Sequence, residues 1–161
     1  MLNVIMIVVT GLITATMMVT PPTHPKEATD LYKYKDEYRR IGMMFDNLPA
    51  NFNSRLRNTK IYYGNLSGNM AGICYLLSNE IHIDKEIWDF ISEENKEELM
   101  FHELTYCVMK EMGHRETGIM IDSGLHPSKF YRRFYSNLIN DLFKCTKNCI
   151  SIEYRKGKYN P

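Results

Sequence analysis

Apolar residues along this chain follow two different periods. Over residues 27–47, Leu31, Tyr34, Tyr38, Ile41 and Phe45 recur at spacings of three and four. This is one stripe of an amphipathic helix, with Lys33, Lys35, Asp36, Arg39 and Arg40 mostly off it. Pro49 ends that element, and residues 51–58 read as a polar loop. The period then shortens. Residues 60–63 are β-branched and aromatic, and a turn region follows at 64–69. Residues 72–77 form a second strand. Ser78-Asn79 makes a tight turn into a third at 80–84, and the last two strands pair as a hairpin. In the third, Ile81 and Ile83 share one face and His82 takes the other, where it is expected to be exposed on an edge strand. A short helix or turn at 85–91 carries the only tryptophan, Trp88. Ser92 then serves as N-cap, with Glu93 and Glu94 in a first turn that favours negative charge. The helix it opens is expected to run to about Met112, with Met100, Leu104, Cys107 and Val108 inward and Gly113 as the residue where the backbone turns over. Pro127 opens a last helix, whose stripe is Phe130, Tyr131, Phe134, Tyr135, Leu138, Leu142 and Phe143. The order predicts one α+β domain, consistent with 161 residues.

The first twenty residues change this picture. Residues 2–19 are apolar or small apart from Asn3, and no charge precedes Lys26. A helix of that length spans about 27 Å, enough to cross a hydrocarbon core. Residues 1–20 are therefore expected to be a signal peptide or membrane anchor, which makes the protein membrane-anchored or exported. The other reading is a buried β-branched strand at 4–9, which leaves a cytoplasmic protein. Three prolines at 21–25 make a stiff linker over 21–26. The domain is expected at 27–145 and a basic tail at 146–161. A net charge of +1, with no basic run longer than three residues, argues against a nucleic-acid partner. Of the four cysteines, Cys145 and Cys149 lack partners at zinc-finger spacing. Two disulfides in an exported domain and free buried thiols in a reducing compartment are both open.

The candidate chemistry lies in Leu99-Met-Phe-His-Glu-Leu-Thr-Tyr-Cys-Val-Met-Lys-Glu-Met-Gly-His114. A helix that binds catalytic zinc places two histidines at i and i+4, with a glutamate beside the first. The metal lowers the pKa of a water to about 7, and the glutamate takes its proton. A glycine after the helix lets the chain reverse and return a third ligand. His102, Glu103, Gly113 and His114 fit the roles of first ligand, base, turn and third ligand. The i+4 position holds Tyr106.

Together with Asn79-Glu-Ile-His-Ile-Asp-Lys-Glu-Ile-Trp88, Lys96-Glu-Glu-Leu-Met-Phe-His-Glu-Leu-Thr-Tyr-Cys107, Gly113-His114 and Ser123-Gly-Leu-His-Pro127, this stretch resembles small zinc metallopeptidases of bacteria and their phages, minimal relatives of the matrixin and metzincin group. The resemblance covers about residues 70–145. It implies a minimal zincin-like domain, a small twisted sheet packed on the active helix with the N- and C-terminal helices behind. It implies a zinc metalloendopeptidase acting on a peptide or protein substrate, which pairs along a sheet edge formed by residues 80–84 or a neighbouring strand. Three departures stand out. Thr105-Tyr106 replaces Gly-His, so the second ligand is changed. His114 lies farther from His102 than in the family. The methionine turn is split between Gly118-Ile-Met120 and His126-Pro127.

Three outcomes are open for the site. Tyr106 ligates zinc as a phenolate, although phenols ionise near pH 10 unless a metal drives it. His126, otherwise a turn residue, swings in as substitute. Or the protein is a pseudoprotease that keeps the fold as a binding module. If instead the motif is accidental in a small structural membrane protein, His102 is fully exposed and far from His114. Cys74 and Cys107 are placed to join sheet and active helix by a disulfide, with two buried thiols as the alternative.

Overall fold

In the computed structural model the described residues are 26–111, 113–115, 118–121 and 124–144. Three strands, β1 (Lys60–Gly64), β2 (Gly72–Tyr75) and β3 (Glu80–Asp84), form one sheet in the order β1-β3-β2. β2 and β3 are the expected antiparallel hairpin, with Cys74 opposite Ile81. β1 lies parallel to β3 on its other side, with Tyr62 opposite His82. β3 is thus the central strand. This corrects the expectation that residues 80–84 form an edge and a cleft rim. It also corrects the exposure of His82, which is fully buried. The face assignment stands: Ile61, Ile81 and Ile83 are fully buried in the core cluster that includes the helices.

The outer edge of β1 is covered by residues 26–28. Glu27 pairs with Tyr62, and Ala28 N–H donates to the Ile61 carbonyl at 2.8 Å. The chain is therefore extended at Glu27, and helix α1 (Tyr32–Gly42) begins after a 3₁₀ turn at Thr29–Leu31 and ends before Asn47. Gly42 has a packing reason, since a Cβ there would meet the Phe52 ring at 2.8 Å. Leu31, Tyr34, Tyr38 and Ile41 are buried as the stripe predicts. Lys35 is buried too. Its ammonium reaches the Thr59 carbonyl at 2.6 Å, at the end of helix α2 (Phe52–Asn58). Burial pushes this ammonium below the usual lysine range. Helix α2 was expected to be loop. Its polar surface hides a buried Phe52/Leu56 pair at i, i+4, which seats it on the core.

Helix α3 (Lys85–Phe90) is capped by Asp84, whose carboxylate accepts from Ile87 N–H at 3.0 Å and from Leu66 N–H at 2.9 Å. One carboxylate thus fixes both the helix start and the loop between β1 and β2. Helix α4 (Glu93–Leu104) begins at Ser92, whose hydroxyl accepts from Asn95 N–H at 3.2 Å. Helix α5 (Ser128–Lys144) begins directly after Pro127. Tyr38 packs between Phe101, Phe52 and Phe143, at ring separations of 5.3, 5.8 and 4.8 Å, and so joins α1, α4, α2 and α5. The architecture is α+β, five helices and a small mixed sheet among the described residues.

The membrane expectation is corrected. No helix among the described residues is long and apolar enough to cross a membrane. α5, 17 residues long, is amphipathic, with Lys129, Arg132 and Arg133 off its buried face. Residues 1–20, the prolines of the linker and the tail 146–161 lie outside the described residues.

Candidate metal site

Helix α4 does not end as an α-helix. Its last turn widens into a π turn at Thr105–Met109, which closes on Lys110 in the left-handed conformation, φ 56°. The reversal expected at Gly113 thus starts three residues earlier, and Gly113 adds a second positive φ of 87°. The widened end is tied down from outside. Arg55 of α2 donates to the Val108 carbonyl at 3.1 Å, and the Lys110 ammonium reaches the Leu76 carbonyl at 2.9 Å. Thr105 is fully buried; its hydroxyl donates to the Phe101 carbonyl at 2.8 Å and lies 3.0 Å from the Tyr38 hydroxyl. The residue that stands where the resembled family has glycine thus anchors the π turn to α1. π turns inside α-helices are rare and concentrate at functional sites.

Three rings converge beside this turn. The His102 and Tyr106 rings lie 5.0 Å apart, His102 and His114 5.3 Å, and Tyr106 and His114 5.7 Å, centre to centre. His102 and Tyr106 are half-buried and His114 is exposed. His102 is thus neither fully exposed nor far from His114, contrary to what an accidental motif predicts. The His102 Nδ1–H donates to the Ile119 carbonyl at 2.7 Å. A carbonyl can only accept, so in the neutral ring the proton sits on Nδ1 and the lone pair on Nε2, the tautomer a metal-ligating histidine needs. The next residue, Met120, is fully buried, and its carbonyl accepts from Arg115 N–H at 2.7 Å, closing the loop that carries His114.

A metal about 2.1 Å from an imidazole nitrogen lies about 3.2 Å from the ring centre, so two tetrahedral imidazole ligands stand roughly 5 Å apart centre to centre. The His102–His114 separation of 5.3 Å fits that spacing. Among the described residues no three His, Cys, Asp or Glu side chains stand close enough to hold a metal. Among the described residues, the side chain with a donor that stands beside both imidazoles is Tyr106.

Glu103 points away from solvent. It is 4 % exposed, and its carboxylate accepts the Cys74 N–H of β2. Burial pushes the carboxyl up to about 8, offset in part by that hydrogen bond. Gly72 makes the space: a Cβ there would lie 3.0 Å from Glu103 Cγ and 3.1 Å from its Oε1. Cys74 and Cys107 form a disulfide, Cα atoms 5.7 Å apart, binding β2 to the π turn one residue after Tyr106. Cys145 and Cys149 lie outside the described residues.

His126 is committed elsewhere. Its backbone N–H and Nδ1 both donate to the buried Glu98 carboxylate, its ring stacks on Phe130 at 4.9 Å, and Asn95 Nδ2 donates to its carbonyl at 2.7 Å. It is the turn residue that locks the start of α5 to the start of α4, and the geometry gives no support to a swing toward His102. Glu98 was missed in the sequence, although it sits one helical turn before His102 on the same face. Comparison with known proteins finds no matching family model, no matching curated protein and no matching solved structure.

Proposed function

We propose that this chain is a zinc-dependent peptide hydrolase in which His102, Tyr106 and His114 hold the metal and Glu103 handles the proton. The observation that carries this reading is the convergence of the three rings, with His102 fixed in the ligating tautomer by Ile119. A zinc ion held there supplies Lewis acidity toward a peptide carbonyl and brings the pKa of a water to about 7. The Ile119 carbonyl orients the His102 ring, and the positive φ at Lys110 and Gly113 returns His114 to it. Tyr106 gives up its phenolic proton on binding, so affinity rises with pH. The peptide runs along the outer edge of β2, the strand beside Glu103, rather than along β3. The test is chelator-sensitive cleavage of an unstructured protein by the full chain, lost in Glu103→Gln with zinc binding retained. Equal cleavage by both would contradict the role of Glu103.

The burial of Glu103 favours a second reading, a pseudoprotease that uses the fold to bind a partner. The carboxylate lies under β2 and is already satisfied by Cys74 N–H. That reading predicts a folded chain that cleaves nothing, whether or not zinc is supplied.

A further inference from the structure

The sheet face opposite the candidate site holds an unusual group. His82 is fully buried at the centre of the sheet, and among the described residues neither ring nitrogen has a hydrogen-bond partner. Buried polar atoms are nearly always paired, and an orphan calls for a reason. Its walls are aromatic, Tyr62 of β1 at 5.3 Å and Tyr75 of β2 at 4.8 Å, ring to ring. We propose that His82 is an acid sensor built into the sheet: protonation places a charge that the closed strands cannot accommodate, and the β1–β3–β2 pairing loosens.

The groups around it support this. On its own strand, Glu80 is the nearest carboxylate, 3.7 Å from Nε2, too far for a hydrogen bond. Asp84 shares the face, but its carboxylate is taken up by Ile87 and Leu66 N–H. Lys60 on β1, opposite Glu80, carries the wrong sign to help an imidazolium. Tyr62 and Tyr75 present rings. The loop 65–71 contains no titratable residue. Among the described residues Glu80 alone is placed to offset the charge, and only in part. Burial therefore lowers the His82 pKa below its ordinary value of 6.5, with Glu80 opposing. An opened sheet returns the ring to water and to that ordinary value. The open form then binds the proton that the closed form refuses, and opening is favoured as pH falls, by up to about tenfold per pH unit below about 6.5.

The device does not depend on metal or cleavage. The test is amide hydrogen exchange of Ile81, Ile83 and Tyr75 in the full chain between pH 7.5 and 5, corrected for intrinsic rates, beside His82→Phe. Phenylalanine suits the aromatic walls and cannot titrate. Buried Glu103, held against β2, adds the same pH dependence to both proteins, so the expected result is a ratio of native to variant opening constants that climbs on acidification. The same pH response in both overturns the proposal. If His82→Phe does not fold, the imidazole titration of the native chain followed by NMR decides. A folded-state midpoint clearly below 6.5 supports the sensor, and one at or above it overturns it.

Discussion

Tyr106 stands one turn after His102, with its ring 5.0 Å from that of His102 and 5.7 Å from that of His114. If its phenol completes the metal site, Tyr106→Phe keeps the packing and removes only the donor. Zinc affinity, read by competition with a chromophoric chelator, should fall by at least about 100-fold, since losing even a supporting group costs 10–100-fold. Tyr106→His should raise it above the native value. Equal affinities in all three proteins would take position 106 out of the ligand set. Gly72 makes a second residue-scale test. A Cβ at that position meets Glu103 at 3.0 Å, so Gly72→Ala must displace the carboxylate or the strand, at a cost of about 1–3 kcal/mol in urea unfolding. A neutral effect would show that Glu103 is not held against β2. Asp84 gives a pH signature. Backbone N–H donors, chiefly Ile87 and then Leu66, hold its carboxyl below the usual range. A depressed folded pKa adds stability above the unfolded value near 3.9, and that stability is lost as pH falls through the lower folded value. Asp84→Ala should therefore cost about 1–2 kcal/mol near neutrality and progressively less below about pH 4. A cost that stays constant down to pH 2 would contradict that assignment.

At the scale of elements, the disulfide is the strongest single constraint near the site. It closes a loop across a sequence separation of 33 and fastens β2 to the π turn. On the chain-entropy account a loop of that length stabilises by about 3–4 kcal/mol. A Cys74→Ser/Cys107→Ser double variant should lose most of that in urea unfolding, whereas a loss below about 1 kcal/mol would contradict the cross-link. Most elements could be read in the sequence because their burial is one-sided. The α1 and α5 stripes, the β2–β3 alternation and the Ser92 cap each leave a local pattern. α2 escaped because only Phe52 and Leu56 face inward, and two apolar residues in seven look like a loop. The π turn escaped because i+4 and i+5 bonding cannot be told apart over five residues of sequence.

For the whole molecule, strand order was the part that local pattern could not supply. Nothing in residues 60–64 says that they pair parallel to 80–84, and this pairing makes β3 central and buries His82. The candidate site was readable further. His102, Glu103 and His114 were marked by type and spacing, and two of the three converge with Tyr106. What remained hidden was Glu103's cover by β2, which depends on Gly72 and Cys74 some thirty residues earlier in the chain. The most direct test of the account is the zinc stoichiometry of the purified full chain by elemental analysis, beside His102→Ala. A site built on His102, Tyr106 and His114 predicts one zinc per chain, lost in the variant. A well-folded chain with no zinc, or a zinc content that His102→Ala leaves unchanged, would contradict it.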